Sequence, residues 1–271
     1  MHPIPVRKMV FELPTADNFE PKWAANNALL SYTTTGVSLY VHWLEPFLVK
    51  SLQRVLHEVK DEKLHEEVDR FCKQEAQHYR QHQRFNEPIL AQGYPGLKER
   101  FARLKADFDG WLAGKGDRWC VGFVEGFEAY TTKSAIGALE STIFDHPATD
   151  PRFGELFKWH LTEEIEHRNV AFDVYEQLYG DYLFRVKMCW IAQWHIWNFC
   201  MDCVRIMSAY DRQRFDESYA VNPALRWIAT VAVQPMFFST YLPGYTPHKL
   251  PVPEAAAALS AQYTEQAEST S

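Results

Sequence analysis

The chain has 271 residues, a net charge of −7 and no dense basic block. That balance speaks against a dedicated nucleic-acid binder and against electrostatic attachment to an anionic membrane. Hydrophobic residues make up 46% and aromatic residues 15%, so a domain with a large, aromatic-rich interior fits the composition.

Residues 1–20 are Pro-rich and read as an extended segment, with no apolar run of signal-peptide length. Amphipathic helical patterns then follow one another over a domain spanning 21–245, and no strand-turn-strand series interrupts them. The first covers 38–59, with Leu44, Phe47, Leu48, Leu52, Val55 and Leu56 at helical spacing. Pro46 inside it must start or kink a helix. The second runs over 61–90 and stops near Pro88, before the turn signal Gly93-Tyr94-Pro95-Gly96. Further helices are expected at 97–112 and 117–144. Asp150-Pro151 opens another, with Asp as N-cap and Pro as first helical residue, reaching about residue 178. Two more follow at 182–210 and 222–240. The most hydrophobic stretch, 183–207, contains Arg185, Lys187, His195, Asp202 and Arg205, so it reads as buried or subunit-facing rather than membrane-spanning. Residues 246–271 shift to Ala, Glu, Ser and Thr and read as a flexible tail. The five Cys are odd in number and irregular in spacing, which disfavours a disulfide framework and favours a reducing, cytoplasmic setting. Cys200-x-x-Cys203 reads as two thiols on one face of a buried helix.

Two helical patterns carry Glu-x-x-His: Glu75-Ala76-Gln77-His78 and Glu164-Ile165-Glu166-His167. Positions i and i+3 share a helix face, so each pair can chelate one ion or share a bridged pair. A third match, Glu62 with His65, lies in a charged stretch and reads as a solvated face. A dinuclear bundle needs one more Glu from each of two other helices. Glu45 lies among Val41, Trp43, Leu44, Phe47 and Leu48, and Glu125 and Glu128 lie in VGFVEGFEAY. A carboxylate in such company is either alone in solvent or buried for a purpose. His160 precedes Glu164 by four residues and shares its face, which makes the set nitrogen-rich and suits iron. The expected metal ligands are Glu45, Glu75, His78, Glu125, His160, Glu164 and His167. Glu128, His82 and His42 are further candidates, with buried hydrogen bonding as the other reading. Glu163 and Glu166 point roughly 100° and 160° away from Glu164, toward supporting or surface roles.

The stretches LYVHWLEPF, FCKQEAQHYRQH, FVEGFEAYT and WHLTEEIEHRNVAFDVY resemble bacterial proteins catalogued as predicted metal-dependent hydrolases of the ferritin-like group. The resemblance covers residues 5–245. The run from His160 through Glu164 to His167 is also similar to the last metal helix of the p-aminobenzoate N-oxygenases, di-iron enzymes with an additional His ligand. Pro46 directly after Glu45 departs from a regular first metal helix. The expected fold is therefore all-α, a ferritin-like four-helix bundle with additional helices. The favoured function is an O₂-dependent oxidoreductase or oxygenase holding two iron ions and acting on a small hydrophobic or amine-bearing molecule. An external electron donor and homodimerisation through the late aromatic helices are expected partnerships. The competing reading is a hydrolase with manganese or zinc, in which Glu128 or Glu163 acts as base toward a metal-activated water. Metal storage or a scaffold without chemistry fits less well, since the candidate ligands are all present.

Overall fold

The computed structural model describes residues 4–269, and among these the regular structure is helical with no strand. Helix α1, Ala28–Val55, starts where the Asn27 side chain accepts the Leu30 N–H. It runs on through Pro46, whose ring takes away the N–H that the His42 carbonyl would otherwise bond. A short turn at Leu56–Glu58 leads into α2, Glu62–Ala91, capped by Asp61. So short a link makes the two helices antiparallel neighbours. Then come α3, Leu97–Gly114, and α4, Asp117–Glu140. Asp150 caps α5, Pro151–Glu166, with Pro151 in the first turn where its missing N–H costs nothing.

Helix α1 packs on α2 and α4, and α5 packs on the same two, so these four close into a ring. The ring's interior holds the Glu and His residues described below. Around it lie α6, Val170–Leu178, α7, Tyr182–Arg214, and α8, Pro223–Thr240. Helix α7 lies against both α1 and α4. Its close approach needs glycine at one point in particular: a Cβ on Gly126 would sit 2.6 Å from the Cys189 Cα. At Gly36 the facing groups are Cys200 and Cys203, and all five cysteines are free and buried. Helix α8 leaves Trp227, Ile228, Val231 and Phe238 exposed. Among the described residues no helix is long and apolar enough to cross a membrane.

Three sequence expectations need correction. The stretch 151–178 is two helices, because α5 ends at Glu166 and His167 forms its cap. The chain breaks there as the His167 ring turns into the ring of helices. The stretch read as a flexible tail carries α9, Glu254–Ser269, which packs on α5 and buries Ala256 and Tyr263. So few buried positions leave no apolar period in the sequence. The first helix begins ten residues before the apolar pattern does, since 28–37 is rich in Ser and Thr whose side chains face the core or bond back to the helix. The described part of the N-terminal segment, from residue 4, runs along α2 without forming helix or strand. Gln81 donates to the Met9 carbonyl at 2.7 Å and Arg84 to that of Phe11 at 2.9 Å. Residues 1–3 and 270–271 of the two expected terminal segments lie outside the described residues.

Candidate metal centre

Glu45 comes from α1, Glu75 and His78 from α2, Glu128 from α4, and His160 and Glu164 from α5, with His167 at its cap. All seven are 4% exposed or less. Six of them form two groups, in each of which the ligand atoms lie within 4.8 Å of one another: Glu45, His78 and His160, and Glu75, Glu164 and His167. His167 Nε2 stands 3.4 Å from an oxygen of each of Glu75, Glu128 and Glu164. Donor atoms about 2.1 Å from a shared tetrahedral ion would be roughly 3.4 Å apart. Glu164 reaches both groups, with Oε2 toward His167 and Oε1 2.7 Å from His160 Nε2. Glu75 Oε1 lies between His167 Nε2 at 3.4 Å and His78 Nδ1 at 3.7 Å.

Eight polar atoms facing this volume lack hydrogen-bond partners: both oxygens of Glu45 and of Glu128, Glu75 Oε1, Glu164 Oε2, His78 Nδ1 and His167 Nε2. Buried polar atoms are normally satisfied, and a cluster of lone pairs converging on one space is what a cation relieves. Burial, and after it the Glu75 carboxylate, pushes Glu45 well above the ordinary carboxylate range. Burial, followed by Glu164, raises Glu128 as well. Burial opposes charge on His78, yet the Glu163 and Glu75 carboxylates outweigh it and push the imidazole upward. Without a metal ion, then, the cluster retains protons to offset its own negative charge. The residues present fit a pair of ions.

Each ring is backed by an acceptor that leaves the other nitrogen bare. His78 Nε2–H donates to Glu163 at 3.1 Å, freeing Nδ1. Glu163 is fixed in turn by the Trp159 indole N–H at 2.9 Å. His167 Nδ1–H donates to the Gln74 side-chain oxygen at 3.0 Å, freeing Nε2. For His160 the chain of bonds is longer. The Asn86 amide donates to the Ser38 carbonyl, so its oxygen accepts the Ser38 hydroxyl proton at 2.9 Å. The hydroxyl oxygen then accepts from His82 Nδ1–H at 2.8 Å, and His82 Nε2 accepts from His160 Nδ1–H. His160 Nε2 is left as a lone pair 2.7 Å from Glu164 Oε1, a separation that needs a proton or a metal ion between the two atoms. Orientation of imidazoles by outer partners in this way is a regular feature of metal sites.

The structure brings together six of the seven expected ligands and leaves Glu125 out. Its carboxylate faces α7, where it meets Arg185 at 3.1 Å and the Cys189 thiol at 3.2 Å. Glu128, one turn on, faces His167 at 3.4 Å, with both oxygens unpartnered. Glu163 supports His78 and carries an ion pair on its far side, so it is no free base. His82 belongs to the chain of bonds behind His160. His42 stacks near Trp43, Tyr79 and Phe101, away from both groups. Sequence reasoning missed Gln74, Ser38 and Asn86. Gln74 is legible only as a polar residue one position before Glu75, and Ser38 and Asn86 carry no signal of their own.

A family model described as predicted metal-dependent hydrolase matches residues 5–250. The chain belongs to this family. Neither a curated protein nor a solved structure matches it. The predicted metal-dependent hydrolase family thus covers the four ring helices and everything up to α9, and every candidate ligand falls inside the matched span.

Proposed function

We propose that this protein is a dinuclear, iron-dependent oxidoreductase that uses O₂ to oxidise a small organic molecule. The carrying observation is the convergence of four carboxylates and three imidazoles in the closed interior of four helices, with both oxygens of Glu45 and Glu128, one oxygen each of Glu75 and Glu164, and the inner nitrogens of His78 and His167 lacking hydrogen-bond partners. One Glu from each of two helices and a Glu-x-x-His from each of two others is the arrangement used by di-iron carboxylate bundles. Glu45, His78 and His160 would hold one ion, and Glu128 and His167 the other, with Glu75 and Glu164 shared. Two such irons supply the electrons and open positions that O₂ reduction requires.

The chain's own contribution is orientation and dryness. Glu163, Gln74 and His82 keep the three imidazoles in the tautomer that faces inward. The Phe71 ring stands 4.6 Å from His167 and the Trp159 ring 4.9 Å from His78, which keeps bulk water from the interior. Beside the ring, a cleft of about 250 Å³ has an aromatic wall of Trp43, Phe47, Tyr79 and Phe108 and a charged rim of Lys50, Lys105 and Asp109. Pro46 and Tyr79, which directly follow Glu45 and His78, line it too, and its aromatic wall supports a substrate with a hydrophobic part.

The family description favours a second reading, hydrolysis by a metal-activated water. Anaerobic loading with Fe²⁺ followed by exposure to O₂ separates the two. The oxidoreductase consumes O₂ and changes its optical spectrum. A hydrolase loaded with Zn²⁺ or Mn²⁺ cleaves ester or phosphoester probes equally well with and without O₂, and that result would replace the present reading.

A further inference from the structure

Arg7 lies in the N-terminal segment, outside the ring of helices, and is 2% exposed. Its guanidinium meets two carboxylates of α5 at once. Nη1 donates to Glu163 at 3.0 Å, and Nη1 and Nη2 fork onto the Glu166 oxygens at 2.9 and 2.7 Å. The remaining N–H groups go to α9, to the Ser260 carbonyl and hydroxyl and to the Thr264 hydroxyl. From each carboxylate a chain of bonds leads inward. Glu163 accepts from His78 at 3.1 Å. Glu166 accepts from the Gln74 amide at 3.0 Å, and the Gln74 oxygen accepts from His167 at 3.0 Å. The Pro5 carbonyl takes the other Gln74 proton at 2.8 Å, so the same segment fixes the amide orientation twice.

We propose that Arg7 is a positioning residue shared by both ion sites, holding His78 of one and His167 of the other through separate hydrogen-bond chains. This rests on the dinuclear reading above. A planar fork is suited to the task, since it presents donors to two carboxylates in fixed directions, which an ammonium cannot. His160, the third imidazole, is backed independently by His82, so the coupling concerns one ring in each group. Helix α9 enters the same arrangement: Ser260 also donates to Glu166 at 2.6 Å and braces the guanidinium from outside.

The test is anaerobic Fe²⁺ binding to the full chain by equilibrium dialysis, comparing wild type, Arg7→Met, Arg7→Lys and Gln74→Leu. Removing an outer partner of a metal ligand weakens binding roughly 10- to 100-fold. Arg7→Met should weaken both ions to that extent, Arg7→Lys should restore binding only in part, and Gln74→Leu should weaken one ion and spare the other. Tyr94→Phe, which removes a hydroxyl bonded to the buried Asp211 away from the cluster, controls for lost stability alone and should leave both affinities unchanged. Folded Arg7→Met with two wild-type affinities overturns the proposal. Should Arg7→Met not fold, Arg7→Lys, which keeps the buried charge, carries the comparison, and wild-type binding in it overturns the proposal equally. Wild-type protein that binds no Fe²⁺ overturns the dinuclear reading itself, an outcome distinct from either.

Discussion

Glu125 and Glu128 stand one helical turn apart in α4 and have different neighbours: Arg185 and Cys189 for the first, His167 for the second. Periodicity cannot tell them apart, because α4 is buried on every side from Cys120 to Thr132 and so has no solvent face to set the phase. Glu75, His78, Glu164 and His167 were legible for the converse reason, since a chelating pair carries its own spacing. Arg7 and Gln74 were not, because a lone Arg in a Pro-rich segment and a Gln in a helix reveal nothing until the fold brings them to α5. The two α4 carboxylates should respond differently to substitution. Glu128→Ala should lower metal content and keep the helical fold. Glu125→Ala should retain metal but leave Arg185 buried without its carboxylate, costing about 3–5 kcal/mol. Metal analysis and denaturant titration of the two variants check this, and loss of metal from Glu125→Ala alone would reverse the assignment.

The order of helices was legible because apolar period, caps and Gly or Pro stops agree at most boundaries, as at Asp61, Gly96 and Asp150-Pro151. It was not legible where tertiary contact overrides local pattern. Helix α1 continues through Pro46, α5 stops at His167, and α9 forms on few buried positions. Contact between elements also sets what a glycine does. Gly126→Ala pushes a methyl against the α7 backbone, 2.6 Å from the Cys189 Cα, and should cost about 1–3 kcal/mol. Gly137, in the same helix, has nothing within 4 Å of the added carbon. There the change to Ala restricts the unfolded chain and should stabilise by about 0.4–1 kcal/mol. Opposite shifts in the denaturation midpoint are expected, and a neutral Gly126→Ala would mean that α7 does not lie so close to α4.

Across the whole molecule, Asp211 joins distant parts of the chain: its carboxylate accepts the hydroxyls of Tyr32 in α1 at 3.0 Å and of Tyr94, before α3, at 2.8 Å. Burial raises it to about 6, although the two tyrosines pull the other way. The folded state therefore holds this proton more tightly than the unfolded chain, where an Asp titrates near about 3.9. Its contribution is fully present below that value and is lost as pH rises through about 6. The wild-type minus Asp211→Asn difference in unfolding free energy should thus fall between about pH 4 and pH 6, and a flat difference would count against this burial. The all-α class and the membership of the predicted metal-dependent hydrolase family were both legible in the sequence, because helix-period patterns fill the chain and the motif stretches lie within the matched span. What fills the ring of helices is settled by elemental analysis of natively purified protein, with iron, manganese and zinc counted per chain. About two ions per chain, chiefly iron, are expected, falling sharply in Glu164→Ala and His167→Ala. Protein that carries no metal even after anaerobic Fe²⁺ addition, or variants that keep the wild-type content, would contradict the dinuclear reading.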